Sequence, residues 1–158
     1  MLKRFILFVF LLISFTCSDR YDTTDLTLHT YEYREDEFDL QVINDVNTYR
    51  VQQGLNTLVT SNHISYICST HNDYMILSHT LDHSYFYDRA TNIQRVLHAT
   101  RIGEVIAYNY QTSSSVVTAW TNSQSHRRIL ESDFTHIGVS VSEDSLDRKH
   151  VTLILAKI

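Results

Sequence analysis

The last third of the chain carries the tightest constraint on the fold. In "HIGVSV", Ile137, Val139 and Val141 alternate with His136, Gly138 and Ser140. In "HVTLILAKI", Val151, Leu153 and Leu155 again take every second place. A period of two puts successive side chains on opposite faces of a strand. The polar stretch "SEDSLDRK" between them turns the chain, so the pair reads as an antiparallel hairpin. A hairpin with an apolar face needs a second layer to bury it.

Helices upstream supply that layer. Phe38, Val42, Val46 and Tyr49 recur at helical spacing with Ile43 beside them, Asp36 stands at the N-cap place, and Gly54 at the C-terminal stop. A second helix reads from Asn62 to about Ser78, capped by Ser61, with Ile64, Ile67, Cys68, His71 and Met75 on one face. "HTLDHSYFYDR" reads as a loop carrying His83, followed by a short helix over "NIQRVLH". Gly103–Tyr108 reads as the first strand, with Gly103 turning the chain tightly into it. Ser113–Ser123 reads as a third main helix striped by Val116, Val117 and Trp120, and "SHRRIL" as one or two more helical turns. Helices first, strands late and helices between them make an α+β layered fold.

The 158 residues suffice for one domain with a single core. Proline is absent and glycine occurs three times, so turns rest on Asn, Asp, Ser and Thr side chains. The net charge is −5 and no Lys/Arg cluster alternates with aromatics, which excludes a nucleic-acid partner. Of the two cysteines, Cys68 falls on an apolar stripe and reads as a small buried hydrophobe.

Residues 1–16 read as a signal peptide, with a basic "MLKR" and an apolar "FILFVFLLISF" too short for a comfortable span. Cys17 directly after it indicates a bacterial lipoprotein lipidated at Cys17, although Phe15 fills a place where that signal favours a small residue. The alternative is ordinary secretion. Residues 17–37 read as an acidic tether, and residues 38–158 as the domain it lifts off a membrane. Contact with the membrane is then expected through the lipid anchor only, at the outer membrane or cell surface.

The chain has nine histidines but no HExxH, GxSxG, P-loop or dinucleotide fingerprint. His79 and His83 are four apart, yet they fall in an irregular stretch, which weakens a zinc reading. A histidine paired with a carboxylate can fix a tautomer, hold a divalent ion or steer water. His83, Glu104 and His126 are the candidates for such a cluster. The plain alternative is a loop histidine, a capping glutamate and a helix-start histidine.

Taken in order, "NTYRVQQGLNTLV", "DHSYFYDR", "GEVIAYNY", "AWTNSQSHRRIL", "DFTHIGVSV" and "ILAKI" resemble the bacterial branch of the CAP superfamily, also called the SCP domain. The resemblance spans Phe38 to Ile158. It implies an α-β-α sandwich with a central, mostly antiparallel sheet and a cleft lined by histidines and acidic residues, which in several branches holds zinc. By motif, His83 with Phe86 after it matches the family's H-x-x-F region. Glu104 matches the glutamate of "GEN", and His126 the histidine of "W-x-N-S-P-G-H-R". Val105 departs from that asparagine, Ser123 stands where the animal branch has a second glutamate, and the Pro-Gly before His126 is missing. His136 is a further candidate ligand. Together with the N-terminal export signal, the resemblance implies an exported module whose cleft binds a small molecule, a lipid, a divalent ion or another surface ligand. Two alternatives stand beside it. One is a hydrolase with Glu104 as base and His83 and His126 holding metal or substrate. The other is a structural or adhesive surface lipoprotein.

Overall fold

The computed structural model describes residues 30–158. The signal peptide, Cys17 and the tether up to residue 29 lie outside the described residues. Five helices and four strands follow in the order α1 (Glu37–Gln52), β1 (Val59–Thr60), α2 (Asn62–Ser78), α3 (Phe86–Leu97), β2 (Arg101–Tyr108), α4 (Ser113–Asn122), α5 (Gln124–Leu130), β3 (His136–Glu143) and β4 (Lys149–Lys157).

The sheet order is β1-β3-β4-β2. The expected hairpin is β3–β4, antiparallel, with Val139 opposite Leu153. β2 adds antiparallel to the other side of β4, with Glu104 opposite Ile154. Only the two-residue β1 runs parallel to its neighbour, β3. Odd-numbered side chains of β2, β3 and β4 face one layer. Val105, Val139, Val151, Leu153 and Leu155 pack there against Val42 and Val46 of α1 and Val116 and Trp120 of α4. Even-numbered ones face the other layer, where Ile154 and Ala156 meet Ile64, Ile67 and Cys68 of α2 and Ile93 of α3. The arrangement is therefore an α-β-α sandwich. β4 is covered on both faces; Val151, Leu153, Ile154 and Leu155 are fully buried, each contributing about 1.5–3 kcal/mol.

The helix ends follow their residues. Asp36 caps α1, accepting from the Asp39 amide while the Asp39 side chain accepts from the Asp36 amide. Such a cap stabilises a helix by about 1 kcal/mol. Gly54 stands beyond the end of α1 at φ 74°, where a side chain would be strained. Ser61 caps α2.

Three elements differ from their sequence reading. α3 begins at Phe86, immediately after Tyr85 turns the chain at φ 60°, so "FYDR" is helical and not loop. β2 begins at Arg101, which puts Gly103 inside the strand. Its lack of a side chain serves packing and not a turn: a Cβ there would stand 2.8 Å from Ile129 Cγ2 and 3.1 Å from Phe134 Cζ. The end of the tether is also fastened. The Tyr31 amide donates to His63 Nδ1, its ring stacks on Tyr66, and Tyr33 donates to Asp39. Residues 30–36 are thus a strap laid on the domain. Among the described residues no helix is long and apolar enough to cross a membrane.

Candidate functional site

β2 is an edge strand, and its even-numbered side chains point toward α2 and α3. That pattern puts a carboxylate, Glu104, in an apolar layer with 2 % of its side chain exposed. A buried carboxylate must be paired or neutralised. Here Arg89, on the buried face of α3, donates from Nε to Oε2 at 2.7 Å and from an Nη to Oε1 at 2.8 Å. This two-point geometry is the strong form of the ion pair. The other Nη of Arg89 donates to the Ser84 carbonyl, which ties the pair to the loop before α3.

His83 closes the cluster from the solvent side. Its Nδ1 lies 2.7 Å from Glu104 Oε1. An ionised carboxylate only accepts, so Nδ1 carries the proton and the half-exposed ring presents Nε2 to the cleft. Behind the carboxylate lies His71 of α2, whose ring is fully buried and stacked on Tyr74. Its Nε2 is 2.9 Å from the Asp82 carbonyl, so Nε2 is the donor. His71 Nε2 also stands 4.0 Å from Glu104 Oε1, and Nδ1 is buried with no partner among the described residues.

Burial alone would raise the Glu104 carboxyl, but the bonds from His83 and Arg89 outweigh it and hold the pKa below the usual carboxylate range. Burial, reinforced by the Arg89 charge, pushes His71 down and keeps it neutral. The cluster is a negative charge held between a guanidinium and an imidazole N–H.

Two hollows flank it along the edge of β2. One, about 350 Å³, is lined by His83, Phe86, Ile102, Gly103, Glu104 and Ile129. The other, about 320 Å³, includes Leu81, Ile106, Tyr108, Tyr110, Trp120 and His126. His126 therefore lines the neighbouring hollow and makes no hydrogen bond to Glu104. Its pKa is lowered, first by burial and then by His83 across the cleft. Its place follows from α5, which starts at Gln124 and continues the layer of α4 on the far face of the sheet. His136 sits on β3, two strands from β2, and its Nδ1 is 2.9 Å from Thr135 Oγ1. It does not reach the cleft.

The donor set does not fit zinc. Among the described residues no three His, Cys, Asp or Glu side chains come together as a metal site. The Arg89 guanidinium also bonds both Glu104 oxygens, so a cation there would meet a positive charge already in place.

Arg89 and His71 are the two site residues that motif reading passed over. Each left a trace: Arg89 lies within "DHSYFYDR", and His71 is the one histidine on the stripe formed with Ile64, Ile67, Cys68 and Met75 on α2.

Comparison with known proteins shows what the chain is similar to. The family model described as CAP, the cysteine-rich secretory protein family, matches residues 43–155. The uncharacterized membrane protein YlbC of Bacillus subtilis is 33 % identical over 116 residues, which are 71 % of this chain and 32 % of that protein. The chain thus spans about a third of the length of that relative. Among solved structures, an outer surface protein of Borrelia burgdorferi superposes with a TM-score of 0.66 at 20 % identity, covering 80 % of this chain and 98 % of that one. An extracellular protein of Bacillus anthracis containing an SCP domain gives a TM-score of 0.65 at 22 % identity, covering 75 % of this chain and 40 % of that one.

Proposed function

Because the chain belongs to the CAP (cysteine-rich secretory protein) family, we propose that it is an exported envelope module. In this reading its cleft binds an apolar or amphipathic organic ligand and does not catalyse a reaction. The observation that carries this reading is the pair of hollows on either side of a fixed, charge-balanced cluster. A binding site needs apolar walls and a few convergent polar groups that fix orientation. Phe86, Ile102, Ile129, Tyr108 and Trp120 supply the walls. His83 Nε2 and His126 supply the polar contacts.

A base role for Glu104 is disfavoured by the same cluster. A general base needs a pKa near the working pH and a free lone pair in reach of substrate. Glu104 has a lowered pKa, and its oxygens accept from Arg89 and His83. A zinc role would require Arg89 to leave.

Export is supported by the signal-like N-terminus and by the extracellular and outer-surface relatives, and Cys17 is the proposed lipid anchor. Loss of palmitate labelling in Cys17→Ser is the expected result, and unchanged labelling would remove the anchor.

Trp120 is the one tryptophan of the chain and lines the second hollow, so it reports occupancy. Titration of the full chain with oleate should change its fluorescence saturably, and His126→Leu should alter the midpoint. A flat titration, together with tight calorimetric zinc binding that is lost in Glu104→Gln, would replace this reading with the metal one.

A further inference from the structure

The backbone of β2 offers something its side chains do not. β2 pairs with β4 on one side only. Just past the register Tyr108↔His150, the Asn109 amide donates to the Lys149 carbonyl. In an antiparallel ladder the bonded pairs alternate. Odd-numbered residues of β2 therefore bond to β4, and the amides and carbonyls of Ile102, Glu104, Ile106 and Tyr108 point to the free edge. Trp120 confirms the side: its Nε1 donates to the Ile106 carbonyl at 2.9 Å.

That indole stops any ladder at Ile106. Toward the start of the strand the edge is open. Among the described residues nothing bonds to the outward amides or carbonyls of Ile102 and Glu104. These groups face the hollow of about 350 Å³, walled by Phe86 and His83 from one layer and Ile129 from the other. Edge strands are normally blunted against stray pairing by charge, bulges or cover. Here the cover is partial, leaving two consecutive outward-facing residues with a cavity beside them.

We infer that this stretch of β2 receives an extended polypeptide segment as an added strand. The segment's backbone bonds to the amide and carbonyl of Glu104 and Ile102, and its alternate side chains meet Phe86 on one face and Ile129 on the other. Strand addition takes affinity from main-chain bonds and selectivity from the pockets beside them. Trp120 sets the length, because a segment continuing past Glu104 must leave the strand path at the indole. The inference rests on the cleft being a ligand site and names the class of ligand.

The test uses the full chain and a pool of capped hexapeptides with Thr or Val at the central positions and Lys at both ends. Bound peptides are then N-methylated one amide at a time, which removes single donors and leaves the protein untouched. Strand addition predicts that methylation at alternate positions abolishes binding while the intervening positions tolerate it. It also predicts that hydrogen exchange at the Ile102 and Glu104 amides slows about tenfold or more on saturation. Ile102→Pro removes one outward amide that β4 does not use, and should weaken peptide binding about tenfold with the circular dichroism retained. Peptides that bind without an alternating pattern, or that protect other amides, overturn the inference. If no peptide binds while oleate still changes Trp120 fluorescence, the strand inference fails and the cleft reading stands. If neither ligand binds, both fail.

Discussion

Glu104 and Arg89 neutralise each other, but they do not fail in the same way. Glu104→Gln keeps the shape and removes the negative charge. Arg89 is 8 % exposed and cannot shed its proton, so its charge stays buried. Breaking a buried ion pair from one side costs about 3–5 kcal/mol. The Gln oxygen still accepts one bond and Ser84 another, which places the expected loss near the lower end, about 3 kcal/mol. This loss should not vary between about pH 5 and 8, where the wild-type carboxyl stays ionised. Arg89→Met strands the carboxylate, and a carboxylate has an escape. With the guanidinium gone, burial raises Glu104 above its ordinary 4.5. The proton it takes up sits on the buried carboxyl. A pKa raised in the folded state means stability that is present at low pH and lost as pH rises through it. The Arg89→Met penalty should therefore be smaller near pH 5 and grow to about 3 kcal/mol by about pH 8. Urea unfolding followed by circular dichroism at both pH values measures the two penalties. An Arg89→Met penalty that does not grow with pH, or a Glu104→Gln penalty below about 1 kcal/mol, would refute the reasoning.

Four further outcomes follow from the packing and the buried titratable groups. Gly138→Ala drives a Cβ into the Ser65 amide nitrogen and the Ile64 backbone; a clash with backbone cannot relax locally, and unfolding should show a loss of about 3 kcal/mol or an insoluble chain. Trp120→Phe leaves the Ile106 carbonyl without its donor, costing about 1–3 kcal/mol in the same assay. Acid should weaken the wild type as pH falls below about 6.5. His63 and His71 are lowered from 6.5 chiefly by burial, so the stability they contribute is present above 6.5 and drains as pH falls toward their folded values. His71→Gln should flatten that fall; an unchanged slope would assign it elsewhere. Asp39 works in the opposite sense. Burial raises it to about 6, so its contribution is present below 3.8 and is lost as pH rises through 6. Asp39→Asn should therefore steepen the loss in acid.

The sequence made the sandwich legible where local chemistry decides. Alternation marked β3 and β4, and Asp36, Ser61 and Gly54 marked helix ends, because strands and caps are short-range devices. β1 was not legible: two residues carry no period, and its pairing with β3 is a long-range event. The cleft was half legible. The resemblance drew attention to His83 and Glu104, which meet across 21 positions of sequence. It also drew in His126, whose helix lies in the layer beyond β2 and turns it to another hollow. Arg89 could not be ranked from sequence because its partner is set by how α3 lies over β2. An arginine on a helix gives no sign of whether its guanidinium ends in water or on a carboxylate.

The position of β4 sets a timetable for the fold. It is the strand that joins β2 to β3, and it comes after both. As the chain emerges during synthesis, β2 and β3 wait as separate, adhesive edges. Val151, Leu153, Ile154 and Leu155 close both layers at once when they arrive. A chain ending before Lys149 would lack the one strand whose side chains enter both layers, and should not hold the sandwich together.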